Sequence, residues 1–133
     1  MYLKDLMQGE KYAFYSVVKR LVSVDNDFSE AERKLMDEFL VEMEISEDQI
    51  TDIGLEDAID MFAFSSFSTR KKVFIELVGV TLCDELFDVD ERDFLINIAE
   101  RFGIAEDDRD SIVRMVHNLL DLYKDLQDMI DKE

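Results

Sequence analysis

The sequence VDNDFSEAER, residues 24–33, occurs a second time in altered form as CDELFDVDER, residues 83–92. The two copies are 59 residues apart, and the same offset aligns ISED at residues 45–48 with IAED at residues 104–107. In each copy an Asp is followed by a turn, a cap residue and a Glu that opens a helix. A repeated helix-turn-helix unit predicts two similar halves packed on each other, with paired residues at their junction.

The composition is typical of a folded helical domain. The chain has 133 residues, is 47% hydrophobic and 36% charged, and contains no proline to interrupt a helix. This length suffices for one hydrophobic core. We therefore expect one all-α domain over residues 1–133, with repeat one at about residues 10–53 and repeat two at about residues 69–123.

Apolar periodicity and capping signals divide this domain into seven predicted helices. The first runs to residue 24, the second starts at the capping box of residues 29–32, the third is capped at residues 46–48 and closed by Gly54, and the fourth covers residues 55–64. After a loop at residues 65–68, the fifth is capped by Ser68 or Thr69, the sixth is capped by Asp88 and ended by Gly103, and the seventh starts at residues 106–108. Its apolar stripe continues to the chain end: Ile112, Val116, Leu119, Tyr123, Leu126 and Ile130.

Gly79 lies inside the predicted fifth helix. An interior glycine costs about 1 kcal/mol relative to alanine. We therefore expect another helix to approach closely at this position; the alternative is that the glycine is simply tolerated.

The charge balance limits the partners of this chain. Its 33 Asp and Glu against 15 Lys and Arg give a net charge of −18. That charge repels nucleic acid and anionic membranes, whereas cations and basic protein surfaces are attracted. A single cysteine, Cys83, excludes an internal disulfide. Because no signal peptide or membrane-spanning run is evident, we expect a cytoplasmic protein.

Four carboxylates project toward the interior in the predicted helices. At about 100° per residue, Glu32 falls within the apolar stripe of helix two, and Glu91 occupies the matching place in helix six. Asp25 and Asp84 likewise fall on the apolar stripes of helices one and five. Burying an uncompensated carboxylate costs several kcal/mol, so protons, basic side chains or a metal ion must offset these charges.

The neutralising group that these residues favour is a divalent cation bound at the repeat junction. Oxygen ligands suit Ca²⁺ or Mg²⁺, and we therefore predict a metal site made of Asp25, Glu32, Asp84 and Glu91. Lys11 and Arg70 share the stripes but lie about 21 Å along the helix from the two aspartates. The alternative is structural: the glutamates only complete capping boxes, and the aspartates end the preceding helices at the surface.

An EF-hand does not fit the first copy. Asp25, Asp27 and Ser29 match its first three ligand positions, but Glu30 stands where glycine makes the turn. Met36 stands where a bidentate glutamate is required.

The repeated Asp-turn-cap-Glu motif resembles that of the TerB-like family, which is named for a tellurite-resistance protein. The resemblance covers residues 12–123 and implies a seven-helix, two-repeat protein of bacterial stress response with an acidic, metal-binding centre. Carried over by motif, that centre would be Asp25 with Glu32 and Asp84 with Glu91. The family's glycine after the Asp is replaced by Asn26 and Glu85, and a glutamate adopts a left-handed turn poorly.

Catalytic residues are scarce. His117, the only histidine, falls on the polar side of helix seven, and Cys83 adjoins the anionic Asp84. We therefore predict a non-enzymatic module that binds a divalent cation and acts through protein partners. Two alternatives stay open: a metal-free helical adaptor whose acidic face binds a basic partner, and a metal-dependent hydrolase in which the carboxylates hold an ion that activates water.

Overall fold

The computed structural model describes residues 1–22, 29–51, 53–82 and 89–133. Within these ranges the chain forms α helices and short 3₁₀ turns and no strand, which confirms the all-α prediction. The six α helices in these ranges are α1 (Gln8–Val22), α2 (Glu30–Met43), α3 (Leu55–Met61), α4 (Phe67–Leu82), α5 (Val89–Arg101) and α6 (Glu106–Asp131). The 3₁₀ turns are Leu3–Asp5, Glu47–Gln49 and Phe62–Phe64.

The predicted third helix is a single 3₁₀ turn, Glu47–Gln49. The turn begins after Ser46, as the predicted cap indicates, and Ser46 N donates to Gln49 Oε1 at 2.8 Å. The chain then becomes extended at Ile50. The residues that follow include the β-branched Ile50 and Thr51 and the helix-breaking Gly54, so the sequence does not propagate a helix beyond its cap.

The fifth predicted helix, α4, starts earlier than expected. The cap residue is Ser66, whereas the sequence predicted Ser68 or Thr69. The Ser66 hydroxyl oxygen accepts the backbone N–H of Thr69 at 3.1 Å, and the helix begins at Phe67. The predicted loop at residues 65–68 is therefore shorter.

Two central helices each bury more residues than any other helix of the described ranges. Both α1 and α4 bury seven residues each, among them the fully enclosed Phe14 and Phe74. Helix α1 contacts α2, α3, α4 and α5, and α4 also contacts α5 and α6. Edge-to-face aromatic pairs join α1 to α2 through Phe14 and Phe39, and join the 3₁₀ turn at Phe62 to Phe102. The remaining helices therefore surround this central pair.

Corresponding elements recur at the offset seen in the sequence. Helices α4 and α5 begin 59 residues after α1 and α2. The helix ends correspond too: Glu44, at φ 57°, follows α2, and Gly103, at φ 76°, follows α5. In each case the next residue folds back, with Ile45 N bound to Leu40 O and Ile104 N bound to Ala99 O.

The longest helix, α6, extends beyond the other elements. At about 1.5 Å per residue its 26 residues span about 39 Å. Residues 121–133 are all exposed. Across the described ranges, no helix combines the length and apolar character that crossing a bilayer requires.

Candidate functional site

Glu32 lies buried at the start of α2. The Glu32 N–H donates to Ser29 Oγ at 3.0 Å, and the Ser29 N–H donates to Glu32 Oε1 at 3.1 Å. These two bonds confirm the predicted capping box. The glutamate is only 4% exposed, so it faces the interior as its helical angle predicts. A carboxylate is favoured here because the helix N-terminus presents unpaired N–H groups and a partial positive charge.

Glu91 occupies the matching place in α5. The helix begins at Val89, so Glu91 is its third residue, as Glu32 is in α2. It is likewise 4% exposed. The two glutamates of the predicted site are therefore both buried near helix N-termini.

The two aspartates of the predicted site, Asp25 and Asp84, lie outside the described residues, as does Cys83. In the part of the chain that the structure describes, no three or more His, Cys, Asp or Glu side chains converge in a way that could hold a metal ion. The described geometry thus contains half of the predicted ligand set.

His117 is exposed on α6, as expected. Its Nδ1 lies 3.3 Å from Asp121 Oδ2, one helical turn away, and both side chains are largely in solvent. This pair is a surface contact of the helix.

A carboxylate pair that the sequence analysis missed holds the amino terminus. Glu42 on α2 and Glu76 on α4 lie 2.6 Å and 3.0 Å from the Met1 amino nitrogen. The same carboxylates accept the backbone N–H groups of Leu3 at 2.7 Å and Tyr2 at 2.8 Å. Glu76 is buried, and its helical angle at the flank of the α4 stripe was the available signal.

Opposing effects set the pKa of the Met1 amino group. Burial lowers the pKa, but hydrogen bonds and charge interactions with Glu42 and Glu76 outweigh burial and raise the pKa above its ordinary value of 8.0. The amino group is therefore held in its charged form between two helices.

The C-terminal half of α6 exposes its apolar stripe. Ile112 and Val116 are buried against the bundle, but Leu126 is 52% exposed and Ile130 is 74% exposed. Leu122, Tyr123 and Met129 widen the same surface and are more than half exposed. We call residues 122, 123, 126, 129 and 130 the α6 apolar face. Its stripe follows the sequence prediction, whereas its exposure does not follow from periodicity.

No protein-family model matches this chain, and neither a curated protein nor a solved structure matches it. The resemblance to the TerB-like family therefore rests on the repeated motif alone. Three features of the described ranges stand out chemically: the two buried glutamates, the amino-terminal ion pairs and the α6 apolar face.

Proposed function

We propose that this chain is a non-enzymatic cytoplasmic module that acts through a protein partner, and that the partner docks an amphipathic helix on the α6 apolar face. The observation that carries this proposal is the continuation of the apolar stripe of α6 beyond the bundle, where Leu126 and Ile130 lie in solvent. An apolar helix face of this kind is typical of surfaces that bind other proteins.

The spacing of the stripe fits a partner helix. Leu119, Tyr123, Leu126 and Ile130 follow one another at intervals of four, three and four residues, the seam spacing of a coiled coil. Leu122 and Met129 stand beside this seam, so the apolar surface is wider than a two-stranded seam alone. A helix with a broad apolar face is the complementary occupant.

The charges around the face favour a basic partner over a second copy. Asp121, Asp125, Asp128 and Asp131 cover the opposite side of the same helix turns. A second copy would bring another net charge of −18 to this surface. A partner helix whose polar residues are Lys or Arg would instead be attracted to this acidic segment of α6.

Two synthetic peptides test this proposal. One is an amphipathic helix of Leu and Lys, and the other has the same pattern with Glu in place of Lys. We expect the Lys peptide to bind saturably by calorimetry and the Glu peptide not to bind. Leu126→Asp should weaken binding of the Lys peptide at least about tenfold, because it places a charge in the seam. Lys124→Gln changes the net charge by the same amount on the polar side of α6 and should leave binding unchanged.

Three results would overturn this proposal. Lys-peptide binding that Leu126→Asp leaves intact would place the peptide elsewhere, on the general acidic surface. Equal binding of both peptides would remove the charge argument. Sedimentation showing a dimer that Leu126→Asp dissociates would assign the face to a second copy of the chain.

As a second candidate function, we propose the TerB-like role in stress response, with Ca²⁺ or Mg²⁺ bound at the junction of two pseudo-twofold repeats. The observations that favour it are the burial of Glu32 and Glu91 at matching helix positions and the recurrence of α1 and α2 as α4 and α5. Under this proposal, the 3₁₀ turn Glu47–Gln49 occupies the position of the third helix in the seven-helix arrangement. Asp25 and Asp84 would complete the ligand set.

Calorimetric titration of metal-stripped protein tests the second candidate. We expect Ca²⁺ or Mg²⁺ to bind and Glu32→Gln and Glu91→Gln to reduce the binding, because Gln preserves the capping geometry but removes the charge. Glu30→Gln, on the exposed side of the same helix turn, is the matched control. No heat with either ion would leave the metal-free adaptor. Metal-dependent turnover of phosphoesters that requires Glu32 would instead establish the hydrolase alternative.

A further inference from the structure

A cavity of about 360 Å³ lies between α4, α5 and α6, away from the α6 apolar face. Its wall is apolar: Phe74, Leu95, Ile96 and Val113 line it. Leu95 and Phe74 belong to the buried core, while Ile96 and Val113 are half-buried. This volume is at the lower end of the range of small-molecule sites, which are likewise mostly apolar with a few polar groups.

The polar residues of this cavity are mainly cationic. Arg92, Arg109, Arg114 and His117 line it, together with one acid, Asp110. Three of the seven arginines and the only histidine of a chain with net charge −18 therefore share one cavity. The neighbouring cavity between α2, α4 and α6 has the opposite character, with Glu38, Glu42 and Glu76 in its lining.

Two of these arginines are available to a ligand. Arg109 is already engaged, 3.3 Å from Asp110 and 3.7 Å from Glu106, and His117 contacts Asp121. Arg92 and Arg114 are exposed and form no ion pair with another residue of the described ranges. A guanidinium group matches the planar fork of a carboxylate or the oxygens of a phosphate, and such charge-assisted hydrogen bonds are among the stronger ones.

We propose that this cavity binds a small amphiphilic anion. Its carboxylate or phosphate head group pairs with Arg92 and Arg114, and its apolar chain packs on Ile96 and Val113. The apolar wall explains why a bare inorganic anion is a poor occupant, since it would leave that wall unfilled. The arginines should favour an anionic head group over a neutral or cationic one. This site is independent of the partner proposed for the α6 apolar face.

Three probes with the same chain and different head groups test this assignment: decanoate, decyl phosphate and decylamine, each used below its micelle concentration. Methyl NMR spectra of the full chain report where they bind. We expect either anion to shift the methyl signals of Leu95, Ile96 and Val113 saturably, and decylamine to leave them in place. The tighter of the two anions identifies the head group.

Variants separate the charge from the apolar wall. Arg92→Gln and Arg114→Gln should each weaken anion binding about tenfold. Lys124→Gln, which removes the same charge from α6 outside the cavity, should have no effect. Val113→Trp keeps every charge but fills the cavity, and it should also reduce the affinity. The melting temperature of each variant reports its folding.

The proposal is wrong if neither anion shifts these methyl signals, or if decylamine binds as tightly as the anions. It is also wrong if a folded protein carrying both arginine substitutions binds decanoate as the original chain does. Binding that survives in the folded Val113→Trp variant would place the ligand on the open surface instead of in the cavity.

Discussion

Lys11 donates a hydrogen bond from Nζ to the carbonyl oxygen of Met43 at 2.8 Å and so caps the C-terminal end of α2. The residues 59 positions later repeat this contact, because Arg70 Nε donates to the carbonyl oxygen of Phe102 at 3.0 Å. A cation from the start of a central helix thus meets the carbonyl end of the following long helix in each half. Such a cation also interacts favourably with the helix dipole.

Removing these contacts should lower stability. We expect Lys11→Met to reduce the free energy of unfolding by about 1 kcal/mol, because the carbonyl loses one hydrogen bond while the apolar stem is kept. Arg70→Met should cost about 2 kcal/mol, since Arg70 also donates to the Ser65 carbonyl at 3.0 Å. Urea denaturation measures both values, with Lys34→Met on the exposed side of α2 as control. Equal midpoints for Lys11→Met and the original chain would contradict the capping role.

The left-handed residues that end α2 and α5 differ between the halves, and this difference predicts opposite mutational effects. Glu44 has a φ of 57°, and its counterpart Gly103 has a φ of 76°. A side chain is strained in this region, whereas glycine is not. Glu44→Gly should therefore stabilise the protein by up to about 1 kcal/mol, and Gly103→Ala should destabilise it by about 1 kcal/mol. Denaturant midpoints report both changes, and a shift of the same sign in both variants would refute this account.

Local sequence signals predicted much of the helical fold. The capping box at residues 29–32 and the apolar periodicity of α6 were sufficient, because both depend on residues within one or two turns. The helix predicted at residue 46 failed because a cap fixes where a turn starts and does not supply helix-forming residues after it. Burial of Glu32 followed from its angle alone.

Features made by several helices could not be predicted in this way. The arginine-lined cavity joins Arg92 on α5 to Arg114 on α6 over a floor from α4, and no periodicity within one helix indicates that arrangement. The amino-terminal site joins Glu42 to Glu76 for the same reason. The proposed metal site depends on Asp25 and Asp84, which lie outside the described residues.

The amino-terminal ion pairs predict a pH dependence. The pKa of the Met1 amino group is raised in the folded chain, so its stabilising effect is complete below the ordinary value of 8.0 and is lost as pH rises through the higher folded-state value. Stability should therefore fall above about pH 8 more steeply in protein with a free amino group than in protein acetylated at Met1. Urea denaturation at several pH values between neutrality and the titration of tyrosine measures the two slopes.

Variants locate the origin of this slope. Glu42→Gln and Glu76→Gln should flatten it, because each removes a charge that holds the amino group protonated. Glu38 lines the same cavity as Met1 but forms no ion pair with the Met1 amino group. Glu38→Gln should therefore leave the slope unchanged. Identical slopes for free and acetylated protein would show that the pH dependence arises elsewhere.

Gly79 predicts a stabilising substitution. The sequence favoured a close helix contact at this position, but a Cβ built on Gly79 has no neighbouring atom within 4 Å. The glycine instead borders the cavity of about 380 Å³ between α2, α4 and α6. The prediction of a close contact was therefore wrong, and the cost of glycine in a helix is not offset by packing.

Gly79→Ala should raise the free energy of unfolding by about 1 kcal/mol, because alanine loses less backbone entropy on folding and its methyl group enters open space. Thermal and urea denaturation measure this change, and a destabilised variant would mean that a partner atom occupies the cavity in solution.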